Sequence, residues 1–548
     1  MKCLNARYIS LLFINLMIVS GCQTKKKVDL ILHHAHIYIV DDQFTTCEAM
    51  TVNNGKIVAT GTDEEILNHY EGKEVIDAEG KTVYPGFTDA HCHLLEYGLG
   101  LQQADLTGTA SFNEVLEKLK AHQKKYPSDW ILGWGWDQND WPVQKFPDKT
   151  LLDKIFPDQP VYIVRIDGHA ALANSKALEI AGITAGIKIE GGEILKDKNG
   201  LTGMLIDNAK TLIEKILPED DNATKTVALL RAQENCFGVG LTSLDIAGLY
   251  KNDVLLIDSL QKADKLKLRI YAMLHPTKEN VEYFIQNGYY KTDRLDVRSI
   301  KLYADGALGS RGALLLKPYT DDPGSYGLLL HEKTYYEQAC LTALKYNYQV
   351  NTHCIGDSAN RMILGIYGSF LKGKNDRRWR IEHAQVIAPS DITLFGKYSI
   401  IPSVQTTHAT SDMYWAGERL GKERLKSAYA YRRLLQQNGW LPNGSDFPVE
   451  SINPLYGFYA GVTRQDLKGY PPEGFQKNDA LTREQALKAM TIWAAKAAFE
   501  ENEKGSLEPG KWADFVITNQ DIMTVPEQKI PETQVLKTFI SGEQVFSK

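Results

Sequence analysis

Apolar, β-branched runs alternate with amphipathic stretches through the middle of the chain, and this alternation predicts strands separated by helices. The runs predicted as strands are 86–91, 241–246, 268–274, 299–304, 349–353, 379–383, 400–404 and 441–446. Helical spacing of apolar residues marks 254–266, 335–346, 422–437 and 483–499. Thr482 with Gln485 predicts a capping box at the start of the last helix. Strands alternating with helices are typical of parallel sheets, so residues 84–504 are predicted to form an α/β fold, a (β/α)8 TIM-like barrel.

Both ends of the chain show a different pattern, with short alternating strands and turn residues. Asn53-Asn54-Gly55 is a hairpin signal between two such strands. Two β segments that flank an α/β body predict one small β-sandwich, built from residues 28–83 and 505–548. Residues 105–235 follow the first barrel strand and are too many for a simple crossover. They predict an α/β insertion that caps the barrel mouth and shapes the pocket.

Residues able to bind a metal stand at the ends of several predicted strands. His91 and His93 lie two apart at the end of the first strand, so their side chains point the same way and can hold one ion. Later strands carry or end in further candidates, namely Lys301, His353, His383 and Asp446. Because chemistry in such barrels gathers at the carboxyl ends of the strands, these residues predict one shared metal site.

This order of residues resembles the amidohydrolase superfamily, which consists of metal-dependent hydrolases on a (β/α)8 barrel. Within it, the chain is similar to amidohydrolase family 3, which includes YtcJ-like proteins and N-substituted formamide deformylases. The phrases that support the resemblance are Tyr84 to His93, Asp305 to Arg311, Thr352 to Asp357, Arg380 to Gln385 and Gly444 to Val449. The similarity covers almost the whole chain after its first residues.

The ligand types suit Zn²⁺ or a similar divalent ion, bound as one or two ions. We expect His91, His93 and Asp446 to hold the more buried ion, and His353 and His383 to hold a second one. An ammonium cannot bind a cation, so burial beside metal should lower the pKa of Lys301. The resemblance implies a carboxylated Lys301, a CO₂-derived carbamate that bridges two ions. The alternative is that Lys301 pairs with Asp305.

The predicted reaction is hydrolysis of a C–N bond in a small-molecule amide, N-acyl or N-formyl substrate. Asp446 would accept a proton from a metal-activated water and then protonate the leaving nitrogen. His169, in a phrase that resembles the family's, is a catalytic candidate as an electrophile or substrate contact; the alternative is a structural histidine. A cyclic amidase or a deaminase on the same site is the nearest rival. The alternative from a different functional class is a lipoprotein that binds a small molecule without catalysing a reaction.

Substrate contacts are predicted at three further positions. Arg311 is a candidate for binding a substrate carboxylate, with a surface salt bridge as the alternative. Trp136 and Trp415 are candidates for an aromatic pocket wall, with a place in the core as the alternative. If such rings face the mouth, the substrate is expected to carry an apolar substituent.

The N-terminus is predicted to target the protein to the bacterial periplasm. Residues 1–21 combine a positive start with an apolar core too short to span a membrane, as in a signal peptide. Val19-Ser20-Gly21-Cys22 resembles a lipobox, which implies cleavage before Cys22 and lipid attachment to it. Residues 22–27 would then be the linker to a lipid anchor in the membrane. A plain signal peptide is the alternative.

The composition limits the kinds of partner that can be expected. The chain is slightly acidic, with a net charge of −6 over 548 residues, so no nucleic-acid partner is expected. Cysteines beyond Cys3 and Cys22 are odd in number and irregularly spaced, which predicts buried free thiols rather than a disulfide framework. A homodimer is left open by the sequence.

Overall fold

In the computed structural model of the protein, residues 24–218 and 220–548 are described. The predicted signal peptide, residues 1–21, and the predicted lipidation site Cys22 lie outside the described residues. Among the described residues, no helix is both long and apolar enough to cross a membrane.

The N-terminal region forms two sheets. Its elements are β1 (Lys26–His33), β2 (His36–Tyr38), β3 (Thr46–Cys47), β4 (Ala49–Asn53), β5 (Lys56–Gly61), α1 (Asp63–His69), β6 (Tyr70–Asp77) and β7 (Thr82–Pro85). Strands β4 and β5 pair antiparallel around Asn54 and Gly55, which confirms the predicted hairpin. One sheet has the order β5-β4-β1-β6, while β7, β2 and β3 belong to the other.

The first barrel strand is followed by an inserted region with its own sheet. Its elements are β8 (Phe87–Cys92), α2 (Leu94–Gly100), β9 (Ala104–Asp105), α3 (Phe112–Lys125), β10 (Ile131–Trp136), α4 (Thr150–Ile155), β11 (Val161–Arg165), β12 (Ala170–Ala173), α5 (Ser175–Ile180), β13 (Gly192–Asp197), β14 (Gly200–Asp207) and α6 (Thr211–Glu214). Strand β8 belongs to the barrel, and β9 to β14 form a sheet in the order β13-β14-β12-β11-β10-β9. Separate apolar clusters, one containing Leu106 and Trp136 and the other Leu178 and Leu205, form the core of this region.

The remaining barrel elements alternate between strands and helices. They are α7 (Asn222–Gly238), β15 (Leu241–Leu249), α8 (Lys251–Lys262), β16 (Arg269–Leu274), α9 (Lys278–Tyr283), β17 (Tyr290–Lys291), β18 (Leu295–Tyr303), α10 (Lys333–Tyr346), β19 (Gln349–Cys354), α11 (Asp357–Leu371), β20 (Arg380–His383), α12 (Ile392–Tyr398), β21 (Ile401–Ser403), α13 (His408–Asp412), α14 (Ala416–Leu425), α15 (Tyr431–Asn438), α16 (Pro454–Thr463), α17 (Arg483–Ala489) and α18 (Ile492–Ala497). Thr482 and Gln485 form the predicted capping box at α17. The predicted long helices 422–437 and 483–499 are each interrupted, the second at Thr491, whose backbone is non-helical (φ −140°, ψ −100°).

The barrel is a parallel sheet in the order β21-β20-β19-β18-β16-β15-β8, nearly closed and TIM-like. The prediction of an eighth strand at 441–446 is wrong, because this segment forms only an isolated bridge between Val404 and Asn443. Pro442 has no N–H to donate, and Asp446 takes a left-handed φ of 63°, so the segment departs from a regular strand near both of its ends. The segment still links the edge strands, since Ala90 N donates to Asn443 O and Gly444 N donates to Val404 O.

The C-terminal strands complete the second N-terminal sheet. They are β22 (Phe515–Thr518), β23 (Val535–Ile540) and β24 (Glu543–Ser547), and the sheet order is β24-β23-β22-β7-β2-β3. Strand β22 pairs antiparallel with β7. Side chains from both sheets share one apolar cluster, which includes Leu32, Val83 and Phe515. The first strands of the described residues and the C-terminal strands therefore pack around one apolar cluster.

Candidate metal centre

The barrel and its inserted region enclose a cavity of about 880 Å³. All of the metal ligands predicted from the sequence line it: His91, His93, Lys301, His353, His383 and Asp446. They come from β8, from the single residue between β8 and α2 (His93), from β18, β19 and β20, and from the segment that follows Leu441. The topology thus brings together residues that lie hundreds of positions apart in the chain.

His91 is held between two acidic side chains. Its Nδ1 lies 2.6 Å from Glu382 Oε2, and neither side chain is exposed. Its Nε2 lies 3.4 Å from Asp446 Oδ1. A carboxylate at one ring nitrogen fixes the tautomer and increases the basicity of the other nitrogen, as in many zinc sites. Sequence analysis missed Glu382, although it directly precedes His383 in a predicted strand.

Asp446 is fixed in place by the neighbouring backbone. Asp89 accepts hydrogen bonds from the backbone N–H and hydroxyl of Ser445, at 3.0 and 2.6 Å, and from His91 N at 3.1 Å. The side chain of Asp89 therefore connects the end of β8 to the segment that carries Asp446. Burial opposes ionisation of Asp446, but a hydrogen bond from His93 and the nearby imidazoles hold its pKa well below the usual value. Asp446 is thus anionic at neutral pH.

The donor atoms of His91, His93 and Asp446 fit a divalent ion. All three lie within 4.8 Å of one another. Asp446 Oδ1 is 3.4 Å from His91 Nε2 and 3.2 Å from His93 Nε2. Ligands about 2.0–2.1 Å from a tetrahedral zinc ion are about 3.3 Å from each other. The observed separations match this value, so the three side chains suit zinc or a similar metal.

A second group of donor atoms shares Asp446. His383, His408 and Asp446 offer ligand atoms that also lie within 4.8 Å of one another. His383 sits at the end of β20 with a left-handed φ of 72°, and its ring centroid is 5.0 Å from that of His91. Sequence analysis missed His408, whose position four residues after a predicted strand was the available signal.

His353, predicted as a partner of His383, lies beside it. The ring centroids of the two histidines are 4.4 Å apart. His353 Nε2 is buried without a hydrogen-bond partner among the described residues, and it is 3.8 Å from Asp305 Oδ1. Burial, with nearby cationic groups, lowers the pKa of His353 well below the usual value, so its imidazole is neutral. A neutral imidazole is the form that binds a metal.

Lys301 extends from β18 into the same group of side chains. Its Nζ lies 2.9 Å from His91 Nε2, and burial lowers its pKa to about 8. The alternative pairing with Asp305 does not occur in the described part of the chain. Asp305 instead accepts backbone hydrogen bonds from Ile355, Gly356 and Leu314.

The inserted region contributes His169 to the cavity wall. Its Nδ1 lies 2.6 Å from Asp207 Oδ1, and its ring centroid is 5.1 Å from that of His353. Asp207 was not predicted, because it is 38 residues away in sequence and approaches His169 only through the pairing of β12 with β14. A Cβ on Gly306 would lie 2.5 Å from Asp207 Oδ2, so the loop after β18 packs closely against this pair.

The predicted substrate contacts lie in different surroundings. Arg311 donates to Asp321 at 2.8 Å and is not among the described residues that line the cavity. Trp136 is fully buried in the core of the inserted region, where its Nε1 donates to Ile163 O. Trp415 does line the cavity, together with Trp134.

Comparison with known proteins identifies the family to which the chain belongs. The model of the amidohydrolase family matches residues 74–546. The chain belongs to the amidohydrolase family, which confirms the resemblance deduced from its motifs. It is therefore an enzyme, a hydrolase of carbon–nitrogen bonds, and its relatives include metal-dependent hydrolases.

Several relatives match nearly the full length. The chain is 34% identical to Protein LONG AFTER FAR-RED 3 of Arabidopsis thaliana, with 94% of this chain and 91% of that protein covered. It is 32% identical to putative amidohydrolase YtcJ of Bacillus subtilis (94% and 99% covered). It is 26% identical to N-substituted formamide deformylase of Arthrobacter pascens (94% and 97% covered). An uncharacterized metal-dependent hydrolase of Pyrococcus horikoshii superposes with a TM-score of 0.76 at 29% identity, covering 91% of this chain and 99% of that one.

Proposed function

We propose that this protein is a metal-dependent hydrolase that cleaves the C–N bond of an amide, N-acyl or N-formyl compound. The observation that carries the proposal is the position of the Asp446 carboxylate, 3.2 Å from His93 and 3.4 Å from His91 in a cavity wall. A bound divalent ion lowers the pKa of water and polarises a carbonyl oxygen. The side chains supply the proton transfers and the alignment.

Asp446 is the general base and then the general acid. Asp446 is ionised, so it can accept a proton from the attacking water while the water oxygen bonds to the substrate carbonyl carbon. The same carboxyl group then donates that proton to the leaving nitrogen, and the C–N bond breaks. Glu382 keeps His91 in the tautomer that presents Nε2 to the site.

Lys301 and His169 both line the cavity and are proposed to support the reaction. A pKa of about 8 leaves a fraction of Lys301 as the neutral amine near neutral pH, and this form reacts with CO₂ to give a carbamate. A carbamylated Lys301 would add an anionic oxygen ligand beside His91. His169, aligned by Asp207, can donate a hydrogen bond from Nε2 to the substrate carbonyl oxygen.

The cavity favours a substrate with an aromatic or other apolar substituent. Its volume of about 880 Å³ lies within the range for sites that enclose small organic molecules. Trp134 and Trp415 provide aromatic surface on its wall. Since a relative is an N-substituted formamide deformylase, an N-aryl or N-arylmethyl formamide is the first substrate to test.

The test is hydrolysis of a panel by the zinc-loaded wild type and the Asp446→Asn variant. The panel contains N-substituted formamides, N-acyl amines, a cyclic amide and an aminated heterocycle. The expected result is hydrolysis of a linear amide, with kcat reduced about 10²- to 10⁴-fold in the variant while substrate still binds. Asp140→Asn is the matched control, because Asp140 also lines the cavity but lies outside both donor groups. Equal turnover by Asp446→Asn would refute the role of this carboxylate.

We also propose that the enzyme is a periplasmic lipoprotein anchored through Cys22. The support is the Val19-Ser20-Gly21-Cys22 sequence after an apolar stretch. Acyl chains on Cys22 would hold the enzyme at the membrane, since each buried methylene contributes about 0.8 kcal/mol.

A further inference from the structure

His408 occupies a position that the family resemblance did not predict. It begins α13, just beyond β21, and only 8% of its surface is exposed. Its Nε2 lies 3.8 Å from Asp446 Oδ2, and its Nδ1 lies 3.9 Å from Glu450 Oε1. Its ring centroid is 5.9 Å from that of His383. His408 therefore lies between the carboxylates of Asp446 and Glu450. Asp446 also belongs to the first donor group, with His91 and His93.

The surroundings of His408 resemble those of His91, with the same order of carboxylates at longer distances. His91 directs Nε2 to Asp446 and Nδ1 to Glu382. His408 directs Nε2 to Asp446 and Nδ1 to Glu450. The two imidazoles face different oxygens of Asp446, Oδ1 for His91 and Oδ2 for His408. One carboxylate is thus placed to contact two ions at once.

The separations at His408 do not describe a hydrogen-bonded structural histidine. Distances of 3.8 and 3.9 Å are too long for hydrogen bonds. His408 Nδ1 and His383 Nδ1 are both buried without a hydrogen-bond partner among the described residues. Buried polar atoms in folded proteins nearly always have a partner, and each exception needs an explanation such as an ion.

We propose that His408 is a metal ligand, which together with His383 and Asp446 holds a second divalent ion. Two imidazoles and a carboxylate are a donor set that suits zinc and similar ions. Glu450 is then a positioning residue, whose carboxylate lies 3.9 Å from His408 Nδ1 and acts on the imidazole through its charge rather than through a hydrogen bond. The proposal rests on the metal-dependent site of the proposed function, but it requires no particular substrate.

The test is metal content, measured by elemental mass spectrometry on the full-length protein reconstituted with zinc. The wild type should hold two ions per chain and His408→Ala should hold one. His275→Ala is the matched control, because His275 also lines the cavity but belongs to neither donor group, and it should retain two ions. His408→Gln, which keeps the size of the side chain, repeats the test if the alanine variant does not fold. In the Co²⁺-loaded protein, the visible absorption of the second ion should disappear in the same variants.

Glu450→Gln tests the positioning role separately. It should raise the dissociation constant of the second ion about 10- to 100-fold and leave that of the first unchanged. The proposal is overturned if the wild type holds only one ion, or if His408→Ala keeps two. It is also overturned if His353→Ala loses the second ion while His408→Ala does not, since His353 would then be the ligand. These readouts are independent of turnover, so a failure to find an amide substrate leaves them interpretable.

Discussion

Replacing Glu382 with glutamine is the sharpest test of how the protein prepares its first metal ligand. Glu382 and His91 are fully buried, with 2.6 Å between Oε2 and Nδ1. Glutamine is nearly the same size, and its carbonyl oxygen can still accept the hydrogen bond from Nδ1. The substitution therefore removes the negative charge while keeping the geometry. We expect the substitution to lower the basicity of His91 Nε2 and thereby weaken its bond to the metal.

The expected magnitude follows from this single contact. Mutation of such an outer carboxylate typically weakens metal binding 10- to 100-fold, which corresponds to about 1.4–2.7 kcal/mol. The assay is a competition titration of the zinc-free protein with a chromophoric chelator. Glu214→Gln is the matched control, because its carboxylate lines the cavity but accepts a hydrogen bond from Tyr162 instead. An affinity within about twofold of the wild type would refute the reasoning that Glu382 tunes His91.

Three further predictions concern stability, the insertion and the membrane anchor. Burial raises the pKa of Asp296 to about 7, so its contribution to stability is present below the unfolded pKa and is lost as pH rises through 7. Asp296→Asn should therefore raise the free energy of unfolding, measured by urea titration, by at most about 4 kcal/mol at pH 8 and by less at pH 5; no gain at pH 8 would contradict this. Asp207→Asn should reduce kcat about 10-fold or more on any substrate found and shift the pH profile, with binding of the first ion unchanged, whereas an unaltered profile would make His169 structural. Cys22→Ser should abolish incorporation of radiolabelled palmitate and release the protein from membranes; a labelled variant would refute the lipid anchor.

Much of the barrel could be predicted because its strands are apolar runs whose ends carry polar residues. Period and composition mark the residues from Phe87 to Cys92 and from Gln349 to Cys354 as strands without any knowledge of their neighbours. The segment 441–446 has a similar apolar start, yet it pairs irregularly. Ser445, which precedes Asp446, donates a hydrogen bond to Asp89, 356 residues away, and local sequence could not reveal this contact.

The sequence predicted which strand-end residues belong to the candidate site, but it did not predict the contacts between their side chains. Alternation along a strand predicts that Glu382 and His383 face opposite sides. The left-handed backbone at His383 instead lets both approach His91. Asp207 ends β14 in the sheet of the inserted region, and His408 begins α13, four residues after a predicted strand. Their ion-pair contacts are with residues 38 or more positions away, so the sequence alone did not identify their roles. Arg311 has a nearby acidic partner, Asp321, which is 10 residues away and was visible in the sequence.

The most direct measurement of the central claim is the metal content of wild-type and Asp446→Ala protein, each reconstituted with zinc, dialysed and analysed by elemental mass spectrometry. Both donor groups share Asp446, so it is the residue whose loss affects every proposed ion. The account predicts two zinc ions per chain in the wild type and fewer than one in a folded Asp446→Ala variant. A wild type that retains no metal, or a variant that retains as much as the wild type, would contradict a metal centre built around Asp446.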